Sequence, residues 1–287
     1  MSRRVVRAVK DGAIARRFKL SRPAKPCSYE KMTASLLETR DVCRHFGALR
    51  AVERVDLAVA PGTITGLIGP NGAGKTTLFG LIAGDLKPHS GEILFAGKRI
   101  DGAMPDHIFR LGLARTFQIP RPFPQMTVLE NVMLAPIGQA GERFWNNWVR
   151  PGHVRAEERR HRERAREVLD FTGLGSKAGE LAGQLSGGQQ KLLELARVMM
   201  VEPRLVLLDE PAAGVNPALL QLLIEKIVAL HARGMTFLII EHNMDMVMRL
   251  CRPIFVMAQG RVIFHGDPQG VRADPRVLDA YLGDVAA

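Results

Sequence analysis

The sequence predicts an α/β fold, a mostly parallel sheet with helices on its faces. Three observations predict it. Short apolar runs alternate with amphipathic helical stretches, a glycine-rich loop joins one apolar run to a helix, and a mostly helical block interrupts the alternation. The 287 residues, 46% hydrophobic and 24% charged, can bury a core without the help of disulfides or metal. No apolar run approaches the roughly 20 residues needed to cross a bilayer. The basic N-terminus has no apolar run behind it, which is not the pattern of a secretory leader, so the chain is expected in the cytoplasm. Cys27, Cys43 and Cys251 lack metal-ligand spacing and read as isolated reduced thiols.

In chain order, residues 1–33 form a basic extension, expected to be disordered. Residues 1–31 hold ten Lys/Arg against two acids, which places +8 of the net charge of +11 there. Such a tail suits an anionic surface, nucleic acid or lipid, or is simply solvated. Met32, where the periodic sequence begins, is an alternative start. Residues 36–46 and 51–60 read as strands, the second stopped by Pro61-Gly62. Residues 63–69 form a short apolar strand that runs into the glycine-rich loop, and a helix follows to about residue 83. Residues 91–96 and 113–117 are further strands. From 119 to 183 the chain is mostly helical. Within it, 155–167 is heavily charged, but Glu157, Glu158, Glu163 and Glu167 interleave its arginines and no aromatics do; that is a solvated, salt-bridged helix face rather than an RNA-binding one. Strands return at 205–208, 236–240 and 254–257, separated by helices near 188–201, 217–231 and 243–250. Residues 260–287 read as a small strand pair and a short terminal helix. The division is thus a core of 34–118 and 184–259, a helical subdomain of 119–183, and a tail of 260–287.

The loop reads Gly69-Pro70-Asn71-Gly72-Ala73-Gly74-Lys75-Thr76, followed by Thr77, and matches G-x-x-x-x-G-K-[ST]. Its glycines let the backbone wrap a phosphate, and its amides and the helix N-terminus face the anion. Lys75 can reach the β- and γ-phosphates and the Thr76 hydroxyl can ligate Mg²⁺. A second signal is the apolar run 205–208, which delivers Asp209 and Glu210 at its carboxyl end, where open α/β sheets bind ligands. Asp209 is suited to hold Mg²⁺ and Glu210 to polarise an attacking water. A third is Leu185-Ser186-Gly187-Gly188-Gln189, a second loop-to-helix junction built to meet an anion.

With these three signals in one chain, the sequence resembles the ATP-binding subunit of an ABC transporter, LSGGQ being the most specific part of the match. The resemblance covers about residues 36–282. It implies a P-loop NTPase (RecA-like) parallel-sheet core with an antiparallel β subdomain and the helical block as an inserted α-helical subdomain. It also implies roles for single residues. Gln118 in "RTFQ" would sense Mg²⁺ and the γ-phosphate, His242 would contact the γ-phosphate, and Phe46 would stack on adenine. Ser186, Gly187, Gly188 and Gln189 would close over nucleotide held by another subunit. Two such subunits therefore pair head to tail, as identical copies or paralogues, around two ATP molecules with Mg²⁺. "DEPAAGVNP", "RTFQIPRPFPQMTVLENVMLA", "EHNMDMVM" and "AYLG" resemble the LivG-type subunits of branched-chain amino acid importers. Asn216 departs from the aspartate usual at that position, keeping an acceptor and losing a charge. The resemblance implies two separate membrane permeases, a substrate-binding protein acting through them, a peripheral position on the cytoplasmic face of the inner membrane, and no nucleic acid. The alternatives are another ABC transporter, such as a lipopolysaccharide-type exporter, or a soluble non-transport ABC ATPase. "AYLG" and "RTFQ" favour the importer.

Overall fold

The computed structural model describes residues 35–116, 122–136 and 151–282, which belong to one compact unit. The basic extension and Gln118 therefore lie outside the described residues. Strands β1 (Leu37–Phe46) and β2 (Leu49–Val59) form a hairpin, and β3 (Ile64–Ile68) leads into α1 (Lys75–Ala83). Next come β4 (Ser90–Phe95), β5 (Lys98–Arg99), α2 (Pro105–Arg110), β6 (Leu113–Arg115) and α3 (Val128–Met133). Then follow α4 (Pro151–Thr172), α5 (Gly187–Val201), β7 (Leu205–Asp209), α6 (Pro217–His231), β8 (Thr236–Ile240), α7 (Met244–Leu250), β9 (Ile254–Ala258), β10 (Arg261–Gly266), α8 (Pro268–Ala273) and α9 (Pro275–Leu282).

Two sheets result. One is antiparallel, in the order β2-β1-β4-β5; the other runs β10-β9-β3-β8-β7-β6, parallel except for β10. From Glu53 onward β2 alternates buried and exposed residues, as a strand with one solvated face must. Every residue of β3, β7 and β8 is buried, because both faces of the parallel sheet are covered. Alternation then sorts each strand's side chains between two cores. Leu67, Leu207 and Leu238 join α1 and the antiparallel sheet. Ile68, Val206, Leu208 and Ile239 join the side that carries α5 and α6. That second core is continuous with the helical block, since Val128, Val132, Val168 and Leu169 share a cluster with Leu192 and Leu193. The charged stretch of 155–167 lies on α4, with Arg155, Arg159, Arg162 and Arg166 exposed and Ala165 buried.

The tail departs from expectation. Its strand β10 pairs antiparallel with β9 and so extends the main sheet, and two short helices follow rather than one. The short elements β5 and α2 were not expected either, whereas α3 falls within the stretch expected to be helical. Cys43 and Cys251 are buried free thiols; burial, reinforced by the nearby charge of Glu241, pushes Cys251 up to about 12, so it stays protonated.

Candidate active site at the carboxyl ends of the parallel strands

The glycine-rich loop follows β3 and opens α1. Gly69 has φ 149° and Gly74 φ 97°. A Cβ on Gly69 would lie 2.0 Å from the Met257 carbonyl oxygen, and one on Gly74 would lie 2.1 Å from that of Ala51, so only glycine fits either place. Lys75 is 5% exposed, and its Nζ donates to the Gly69 and Pro70 carbonyls at 2.8 Å each. The ammonium thus closes the loop through its own backbone. Helix α1 has no side-chain cap and no acid in its first turn, which includes Thr76 and Thr77. Its N-terminal amides and dipole are left for an anion. Asn71 and Gly72 are exposed at the crown of the loop and Ala73 is buried beneath it.

Strand β7 ends in Asp209, 3% exposed, whose Oδ2 accepts from Arg115 Nη2 at 2.9 Å. Arg115 also donates to Asp85, at 2.6 Å. Glu210 follows in a left-handed conformation (φ 48°), unusual for a residue with a Cβ. Its N–H donates to the Ile240 carbonyl at 3.0 Å, and its own carbonyl accepts from Lys191 Nζ at 2.7 Å. Its carboxylate Oε1 stands 2.9 Å from His242 Nε2. The structure therefore brings Glu210 and His242 together, as a carboxylate able to accept a water proton beside an imidazole able to contact an anion.

The Leu185–Gln189 stretch lies at the start of α5. Ser186 is its N-cap in a reciprocal box: Ser186 Oγ accepts from the Gln189 amide at 3.4 Å, and Gln189 Oε1 accepts from the Ser186 amide at 3.0 Å. Ser186 and Gly187 face solvent, whereas Gly188 is packed against α6, where a Cβ would meet Leu219 Cδ1 at 2.7 Å. Phe46 ends β1, 44% exposed, with the Arg44 guanidinium 4.9 Å from its ring centroid. The second strand of that hairpin supplies the Ala51 carbonyl against Gly74, which places Phe46 on the β unit that leans on the loop.

Sequence reasoning missed four supporting residues. Glu241, 2% exposed, accepts from the amides of Ala212, His242 and Asn243. Lys191 is buried on α5; burial lowers its proton affinity, while Glu194, Glu241, Glu210 and Asp209 raise it. Arg115 pairs with Asp209. Tyr281 on α9 lies near the Gly69 backbone, and burial pushes its hydroxyl up to about 12. A lysine in register with Gly188 and Leu195 on a buried helix face was the one available signal, for Lys191.

An ATP-binding site needs a hard cation, and the oxygens present suit one: the Asp209 carboxylate and the Thr76 hydroxyl. No cluster of three or more His, Cys, Asp or Glu that could hold a metal occurs among the described residues.

Comparison with known proteins matches residues 52–213 to the ABC transporter family and residues 261–287 to the branched-chain amino acid ATP-binding cassette transporter family. The probable branched-chain amino acid transport ATP-binding protein LivG of Archaeoglobus fulgidus is 43% identical over 248 residues, 86% of this chain and 95% of that protein. The high-affinity LivG protein of Escherichia coli K12 is 39% identical over 254 residues, 88% of this chain and all of that one. A nucleotide-free ATP-binding cassette from an ABC transporter superposes with a TM-score of 0.74 at 36% identity, covering 86% of this chain and 99% of that chain. An ADP-bound cassette of an ABC transporter gives 0.73 at 35% identity, covering 88% and 100%. Loop, strand end and LSGGQ helix thus sit in the fold that such cassettes share, and the chain belongs to the ABC transporter family, as an ATP-binding cassette on its LivG-type branch.

Proposed function

We propose that this protein is the ATP-hydrolysing subunit of an importer that takes up branched-chain, or similar hydrophobic, amino acids. The Glu210–His242 pair, 2.9 Å apart beside the loop of Lys75, carries the hydrolytic part of this reading. The matches to LivG-type proteins and at residues 261–287 support the transported class. In this reading the loop amides of 71–77 and the Lys75 ammonium hold the β- and γ-phosphates. Glu210 accepts the proton of the attacking water, and His242 orients the γ-phosphate against it. Thr76 and Asp209 would hold Mg²⁺, joined by Gln118. The metal's contribution when bound is to neutralise charge on the phosphate oxygens. Phe46 stacks on adenine, with Arg44 behind the ring.

Ser186, Gly187, Gly188 and Gln189 serve the nucleotide of a second subunit, identical or paralogous, in a head-to-tail pair. No helix among the described residues is long and apolar enough to cross a membrane. In this reading the path for the substrate belongs to two separate permeases. The cassette would work against their cytoplasmic face, with a substrate-binding protein delivering to them from the other side. Glu210→Gln should keep ATP affinity and lose most turnover, on the order of a hundredfold or more. Wild-type hydrolysis by that variant would remove Glu210 from its role.

A further inference from the structure

Glu241 is a carboxylate with almost no access to water, and the mechanism above gives it no task. Both of its oxygens are used. Oε1 accepts from the Ala212 amide at 2.6 Å, and Oε2 accepts from the amides of His242 and Asn243 at 3.0 Å each. Its partners sit on two loops. Ala212 lies two residues beyond Glu210, on the chain leading to Asn216, whereas His242 and Asn243 form the turn between β8 and α7. A buried anion that merely capped a helix would bond one N-terminus, and α7 already has its cap in Asn243, whose Oδ1 accepts from Met246 N. Glu241 instead joins the backbone of one catalytic side chain to the chain leaving the other. A cation stands nearby: Lys191 of the LSGGQ helix lies within the field of Glu241 and donates to the Glu210 carbonyl at 2.7 Å. The segment 210–212 is thus held by Lys191 at the Glu210 carbonyl and by Glu241 at the Ala212 amide. Glu210 itself is held at φ 48°, a conformation that needs such support.

We propose that Glu241 is a positioning residue for ATP hydrolysis, clamping the His242 turn onto the chain that leaves Glu210 and so fixing the distance between imidazole and carboxylate. The proposal rests on the hydrolytic roles given above to Glu210 and His242. A glutamine in place of Glu241 is nearly isosteric but has one carbonyl oxygen; its NH₂ must face amide donors on one of the two loops. The pair should loosen while the nucleotide loop, built on β3 and α1, stays as it is.

The test is Glu241→Gln in the full chain, with steady-state hydrolysis, ATP binding and amide hydrogen exchange measured together. Expected are a kcat lower by roughly tenfold to a hundredfold, ATP affinity within about twofold of wild type, and faster exchange at Ala212, His242 and Asn243. A kcat within about twofold of wild type overturns the proposal. So does a fall in kcat matched by an equal loss of ATP affinity, the mark of a general structural defect. If the variant does not fold, exchange in the wild-type chain decides: slow exchange at all three amides supports the clamp, and exchange at the free-peptide rate refutes it. Glu210→Gln separates this idea from the one beneath it. If that variant is inactive and Glu241→Gln is not, only the clamp fails; if Glu210→Gln hydrolyses normally, the hydrolytic assignment fails first.

Discussion

Lys75 spends two of its protons on the carbonyls of Gly69 and Pro70, which holds the ammonium at the centre of its own loop before any phosphate arrives. Charge-assisted hydrogen bonds of this kind contribute about 1.5–3 kcal/mol each. Lys75→Ala should therefore weaken ATP binding by roughly tenfold to a hundredfold; isothermal titration with unchanged affinity would contradict the loop's assignment. The residues easiest to read in the sequence were those whose chemistry is fixed by type and spacing, such as Lys75, Asp209, Glu210 and Ser186. Glu241, Lys191 and Arg115 escaped because their partners are backbone groups or acids far along the chain. Arg115 and Asp209 are 94 residues apart, and no local pattern announces their pairing. Glu241 was further masked by His242, its more conspicuous neighbour.

Among the elements, α6 shows why an asparagine in place of the usual aspartate is tolerated. Asn216 is its N-cap, with Oδ1 accepting from Leu219 N at 2.9 Å, and Pro217 follows at the first helical position. Asparagine and aspartate cap about equally well. Asn216→Ala should cost about 1 kcal/mol and Asn216→Asp a few tenths at most, read from urea midpoints at constant m-value. An equal loss in both variants would mean that the side chain has another structural partner. Long or strongly patterned elements were legible: β8 and α6 lie where periodicity put them, at Thr236–Ile240 and Pro217–His231. The tail was not, because the strand Arg261–Gly266 takes its identity from β9, and a pairing partner is not written into the strand itself. Six-residue helices such as α2 fall below the length at which a 3.6-residue period shows, although Pro105 and Asp106 mark its start.

At the scale of the whole molecule, the nucleotide loop and the LSGGQ helix each offer a helix N-terminus, yet the box at Ser186 is satisfied within its own helix. In the proposed head-to-tail pair, the second N-terminus serves the nucleotide of another subunit. In Glu210→Gln, where hydrolysis no longer reopens the assembly, MgATP should shift the protein to about twice its mass in size exclusion with light scattering. A monomer at saturating MgATP would count against head-to-tail pairing. The box also fixes which way Ser186 can bond. A hydroxyl has one proton and two lone pairs, and one lone pair faces the Gln189 amide, so the proton is what the exposed side of α5 has to give. An aspartate would cap this helix as well as serine does, but would meet an incoming phosphate with charge of the same sign. In the proposed head-to-tail pair, serine serves both the helix it begins and the phosphate that arrives from the neighbouring subunit, which aspartate could not do.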